Sequence, residues 1–200
     1  MNRILRLARL KNRYFAIRNG ESEANLISLV CGNPQVGVHN YGLTPNGREQ
    51  VRESTRNYKG LSSGVLIYSS DFLSSRQTAK IVAETLGVGL DKIVLEPGLR
   101  ERFFGKYERS VGFDYETVYK QEKNGLLNND VESKESVLDR TSQVVADLED
   151  LYDKKKIVLV SHGDPLIILQ TAFIGMSLSG YRHLPYIGNG QIRELVLIHQ

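Results

Sequence analysis

Three apolar runs in this chain end in the same way. Tyr14, Phe15, Ala16 and Ile17 run into Arg18-Asn19-Gly20. Val65, Leu66, Ile67 and Tyr68 run into Ser69-Ser70-Asp71. Ile157, Val158, Leu159 and Val160 run into Ser161-His162-Gly163. A short, continuously apolar run bounded by polar, Gly-bearing residues reads as a strand buried on both faces. Each run is followed by a segment of helical spacing. Strands alternating with helices argue for an α/β fold, a three-layer arrangement with a mostly parallel sheet and helices on both faces. Parallel strands bring their carboxyl ends to one edge, where α/β proteins bind ligands.

Strands are predicted over residues 13–17, 64–68, 92–95, 157–160 and 191–198. Helices are predicted over residues 21–29, from Thr44-Pro45 to about 58, and over 73–86, 114–123, 133–153 and 165–174. Thr44-Pro45 supplies an N-cap followed by Pro at the first helical position, and Gly87 supplies a stop. Residues 30–41 read as a loop with Gly32, Pro34, Gly37 and Asn40, and residues 99–107 as an irregular charged and aromatic stretch. Tyr107, Tyr115 and Tyr119 fit either a lid or ordinary packing.

The chain of 200 residues suits one domain, placed at residues 13–200 behind a basic tail at residues 1–12. Residues 1–13 hold Arg3, Arg6, Arg9, Lys11 and Arg13 and no acid, leaving 21 basic and 23 acidic residues elsewhere. The body is therefore near neutral, which argues against a nucleic-acid surface. No apolar run approaches the length of a membrane span. The lone Cys31 excludes an intramolecular disulfide and fits a reducing compartment, so the expected location is cytoplasmic. Targeting to an organelle by the Arg-rich residues 1–12 is the alternative.

Four polar clusters fall at predicted strand ends or beside them: Arg18-Asn19-Gly20, Ser69-Ser70-Asp71, Arg100-Glu101-Arg102 and Ser161-His162-Gly163. Brought together, they give a guanidinium, an imidazole and a carboxylic acid in one pocket. Arginine binds phosphate bidentately and keeps its charge. A helix starting near Glu21 would add its positive dipole end. Such a pocket suits a phosphate monoester.

These stretches resemble the motifs of the histidine phosphatase superfamily, the phosphoglycerate mutase-like fold. F-A-I-R-N-G-E-S-E-A-N (residues 15–25) is similar to its opening motif, Y-S-S-D-F-L-S-S-R-Q-T-A (68–79) to its second, and L-R-E-R-F-F-G (99–105) to the stretch bearing its acid. S-H-G-D-P-L (161–166) is similar to its second-histidine motif and N-G-Q-I (189–192) to its closing turn and strand. The resemblance implies phosphoryl transfer through a phosphohistidine, with no metal and no cofactor. It implies Arg18 as a phosphate-binding Arg, Asn25 as a phosphate hydrogen-bonder, Glu101 as general acid and base, His162 as charge stabiliser and Gly163 beside the phosphate. Thr44 and Asn189 would lie at the pocket edge. The partner implied is a phosphorylated small molecule or a phosphoprotein, and oligomeric state stays open.

Two positions depart from the pattern. Asn19 stands where the family has its nucleophilic His, and a carboxamide nitrogen has its lone pair delocalised into the carbonyl. Ser74 stands where the family has its second Arg. Arg76 lies two positions further on, and residues two apart on a helix do not share a face. The resemblance therefore implies a phosphatase scaffold that is inactive or strongly impaired. The alternative is a non-catalytic module that binds a phosphorylated ligand or partner. For Glu101 the alternative is a solvated ion-pair run with Arg100 and Arg102.

Overall fold

The computed structural model describes residue 4 and residues 9–127 and 130–198. Five strands form one sheet: β1 (Arg13–Arg18), β2 (Leu66–Ser69), β3 (Ile93–Leu95), β4 (Lys156–Ser161) and β5 (Ile192–Leu195). The spatial order is β3-β2-β4-β1-β5. All neighbours run parallel except β5, which lies antiparallel along β1.

Among the described residues seven α-helices accompany them: α1 (Glu23–Leu26), α2 (Pro34–Gly37), α3 (Pro45–Asn57), α4 (Leu73–Leu86), α5 (Tyr115–Lys123), α6 (Lys134–Leu151) and α7 (Gly163–Phe173). The sheet is covered on both sides, and the alternation of Cβ directions along a strand assigns each residue to a side. Tyr14, Ala16, Ile157 and Leu159 pack with Val137 and Leu148 of α6 and Ile168 of α7. Phe15, Ile17, Val158 and Val160 pack with Val51 of α3 and Ile81 and Val82 of α4. A third, smaller cluster of Val30, Phe104 and Val118 carries Tyr107, Phe113 and Tyr115 at its margin.

Capping follows the sequence closely in the larger helices. Thr44 accepts the Gly47 N–H ahead of α3, and Gly87 ends α4 at φ 71°, a left-handed conformation that costs glycine little. Asp114 and Ser133 cap α5 and α6.

Two expectations need correction. The helix predicted over residues 21–29 is the single turn α1. Ser22 and Asn25 close a capping box around it, and Ser28 adopts φ 48°, which breaks the helical path. The loop predicted over residues 30–41 contains α2, started by Asn33 and Pro34. Of the tail expected over residues 1–12, residues 1–3 and 5–8 lie outside the described residues. Leu10 packs on the core, and Lys11 and Asn12 belong to the fold.

Glu149 on α6 is what binds them. It is 1% exposed and accepts from the Lys11 N–H (2.6 Å), the Asn12 N–H (3.2 Å), Asn12 Nδ2 (2.9 Å) and the Tyr14 hydroxyl (2.7 Å). A buried carboxylate is tolerated only with such compensation. Glu149→Ala leaves these donors without their acceptor. It is expected to lower the unfolding free energy by about 3 kcal/mol, read from urea unfolding of parent and variant.

Candidate functional site

The pairing of β1 with β4 sets Arg18 opposite Ser161, and the pairing of β2 with β4 sets Ser69 opposite Val160. The three polar strand ends therefore meet at one edge. There they open a cleft of about 490 Å³, open solvent at its mouth included. Arg18, Asn19, Asn25, Ser74, Glu101, His162 and Gly163 all line it. Seven residues spread over 145 positions of sequence are thus brought to one cavity.

Arg18 closes β1. Its Nη1 donates to the Ile187 carbonyl (3.4 Å), and its guanidinium lies over the Tyr186 ring, 4.8 Å from the centroid. Among the described residues two buried side-chain donors have no hydrogen-bond partner, Nε of Arg18 and Nε of Arg76, and of the two only Arg18 lines the cleft. A buried donor left unpaired is costly, and such groups are rare in folded proteins.

Asn19 is 5% exposed. Its N–H donates to the Ser161 carbonyl (2.9 Å) and its Nδ2 to the Gly20 carbonyl (2.9 Å). Gly20 is required by close packing, since a Cβ there would meet the Gly47 carbonyl oxygen at 2.3 Å. Asn25 spends its Oδ1 on the Ser22 N–H (2.9 Å) and hydroxyl (3.0 Å). Asn189 donates to the Asn19 carbonyl (3.1 Å) and to Asn25 Oδ1 (3.3 Å), so it ties these two segments together behind the cleft. Thr44 is engaged by Glu21 (2.7 Å) and does not line the cleft.

His162 is the N-cap of α7. Its Nε2 lies 3.0 Å from Ser70 Oγ and 3.3 Å from Ser75 Oγ, and Phe72 meets the ring edge-on at 5.0 Å. Burial, reinforced by the charges of Arg140 and Arg18, pushes its pKa down to about 3, so the ring is neutral. Glu101 is affected in the opposite sense. Burial and the nearby Asp164 push its carboxyl up to about 8, against the Arg102 N–H (2.8 Å) and the charges of Arg18 and Arg140. Glu101 therefore holds its proton at neutral pH, as a proton donor to a departing oxygen must.

The solvated ion-pair alternative for Glu101 fails. Arg100 pairs with Asp71 (2.6 Å), while Arg102 is fully buried against Glu122 (2.7 Å) and Asp164 (3.4 Å). Neither guanidinium is paired with Glu101. Ser74 is buried on the first turn of α4, and among the described residues Arg18 is the arginine that lines the cleft. Arg76 donates to the Val38 carbonyl (2.9 Å) and does not enter the cleft. The dipole expected from a helix near Glu21 is not supplied by the one-turn α1. Ser22, Ala24 and Asn25 of that turn line the cleft, and so do residues at the starts of the longer α4 and α7, neither of which has a side-chain cap.

Several participants were not foreseen. Arg140 donates to the carbonyls of Gly98 (2.8 Å), Arg100 (2.8 Å) and Glu101 (3.3 Å) and clamps the segment that carries the acid. Cys31 lines the cleft, with burial pushing its thiol up to about 12. Of the three tyrosines expected either as a lid or as packing, Tyr115 lines the cleft, whereas Tyr107 packs on Phe113 and Tyr119 donates to Asp164 (2.9 Å).

Glu101 gives a pH test. The unfolded carboxyl loses its proton near 4.5 and the folded one near 8, so between these values the folded state holds more protons. Stability attributable to Glu101 is therefore present below 4.5 and lost as pH rises to 8. Glu101→Gln, which mimics the neutral acid, is expected to gain stability over the parent across that window and to level off above it. Thermal unfolding of both proteins at several pH values checks this.

Comparison with known proteins gives a consistent picture. The family model of the histidine phosphatase superfamily (branch 1) matches residues 14–200. The protein named Probable phosphoglycerate mutase GpmB of Photorhabdus laumondii is 29% identical over 202 residues, covering 90% of each chain. Its namesake from Escherichia coli O139:H28 is 28% identical over 177 residues, covering 85% of this chain and 78% of that one. Among solved structures, the phosphoserine phosphatase of Entamoeba histolytica in complex with 3-phosphoglyceric acid superposes with a TM-score of 0.72 at 28% identity. That match covers 92% of this chain and 89% of the other. Mycobacterial glucosyl-3-phosphoglycerate phosphatase superposes with a TM-score of 0.72 at 20% identity, which is a likeness of fold.

Proposed function

The chain belongs to the histidine phosphatase superfamily, and on that premise we propose that its cleft binds the phosphoryl group of a phosphomonoester. The observation that carries this reading is the unpartnered, buried Nε of Arg18. A phosphate oxygen would satisfy it through a charge-assisted hydrogen bond. The similarity to a phosphoserine phosphatase seen with 3-phosphoglyceric acid supports a phosphorylated small molecule as the ligand.

In this reading Glu101 protonates the leaving oxygen, and its raised pKa supports that role. His162 stands in the same cleft as a neutral ring beside the phosphate. Asn19 takes the place of the nucleophile and Ser74 the place of a second phosphate-binding Arg. The carboxamide of Asn19 supplies no attacking electron pair, and the cleft has one guanidinium where two would share the transferred charge. Losing one preorganised donor of this kind costs about two to three orders of magnitude in rate. The chain is thus a phosphohistidine-type scaffold strongly impaired in hydrolysis.

The second reading is a non-catalytic phosphate-binding module. The Nδ2 of Asn19 is bonded to the Gly20 carbonyl at 2.9 Å, which favours a structural place for this side chain.

Hydrolysis of an aryl phosphate separates the readings. Asn19→His is expected to exceed the parent by at least about a hundredfold, and Asn19→His with Ser74→Arg to exceed both. Equal rates in the parent and Asn19→His would remove Asn19 from the nucleophile's place. Silence in all three proteins, with phosphate still bound, would favour the binding module.

A further inference from the structure

A second cleft, of about 770 Å³ with open solvent included, lies against the first and shares a wall with it. Tyr115 lines both. Tyr186 lines the second, lies over Arg18, and sets its hydroxyl 2.3 Å from where a Cβ on Gly163 would stand. The two tyrosines are therefore the partition between the phosphate cleft and its neighbour. An ester group bonded to a phosphoryl at Arg18 has this partition beside it.

The chemistry of the second cleft is narrow. Its walls are the rings of Phe113, Tyr115, Tyr119 and Tyr186, and its apolar lining includes Ile167, which is 2% exposed. Asp114, Glu116 and Arg182 also line it. Arg182 lies flat on Tyr119, 3.7 Å from the centroid, and pairs with Glu116 at 3.2 Å. Asp114 accepts the Glu116 N–H at 3.0 Å as the cap of α5. A flat ring would gain offset or edge contacts with several aromatics at once. Phe113 and Tyr115 already meet edge-to-face at 5.3 Å, and Tyr186 is 47% exposed.

We propose that this aromatic cleft is a specificity subsite for a planar aromatic leaving group on the phosphomonoester held at Arg18. The inference rests on the phosphate reading above and adds the substrate class. Tyr115 and Tyr186 are then the residues that select it.

Non-hydrolysable ligands test it without turnover. Isothermal titration of the full chain with inorganic phosphate, methylphosphonate and benzylphosphonate separates the phosphoryl site from the subsite. Benzylphosphonate is expected to bind about tenfold tighter than methylphosphonate, the scale of a good ring–ring contact plus its buried area. That ratio is expected to fall toward one in Tyr186→Ala and in Tyr115→Leu, two variants that perturb different elements. Using the ratio removes any effect of Tyr186 on Arg18. Equal affinities for the two phosphonates, with phosphate still bound, overturn the subsite and leave the phosphate reading intact. A ratio that survives in both variants also overturns it. Failure of all three ligands to bind overturns the phosphate reading and the subsite together.

Discussion

The register of β1 against β4 is the constraint on which the rest depends. Arg18 stands opposite Ser161 because Tyr14 to Ile17 stand opposite Ile157 to Val160, and both strands are buried on both faces. Side chains alternate between faces, so a one-residue slip would exchange the contents of two cores. Phe15 and Ile17 would be driven toward α6 and α7, and Tyr14 would lose Glu149. That packing locks the register, and the register delivers Arg18, His162 and Ser70 to one edge. The site is thus a consequence of core packing well removed from it.

The electrostatics of the cleft follow from its desolvation. Burial neutralises the two groups that could have countered or duplicated the Arg18 charge. Glu101 keeps its proton and His162 loses its own. Arg18 is left as the cation lining the cleft, with a donor unspent, while Arg140 adds its field from behind the 98–101 segment. A cleft of this kind is prepared for an anion before the anion arrives. The buried set of Arg102, Glu122 and Asp164 connects this electrostatics to the aromatic segment above. Asp164 raises Glu101, accepts from Tyr119 and pairs with Arg102.

Much of this was legible in the sequence because strand ends are short-range features. An apolar run and the two or three residues after it are contiguous, so Arg18 and His162 could be placed without knowing the fold, whereas Ser74 came from the family resemblance alone. The α/β class and the core faces of β1 and β4 followed from the same runs. What escaped depends on contacts distant in sequence. Arg140 reads as one more charge on the polar side of a long helix, yet it clamps Glu101 from 39 positions away. Arg102 reads as half of a charge run, yet it is the largest fully buried side chain. The short α1 escaped because its limit is set by Ser28 at φ 48°, a conformation that no propensity for serine would suggest.

The central claim is that the unpaired Nε of Arg18 awaits a phosphoryl oxygen. The most direct measurement is a crystal structure of the protein with orthovanadate. The account predicts vanadate in the first cleft, with an oxygen at hydrogen-bond distance from Arg18 Nε and the carboxyl of Glu101 facing an apical oxygen. Vanadate bound elsewhere, or an Arg18 Nε still unpaired beside it, would contradict the account.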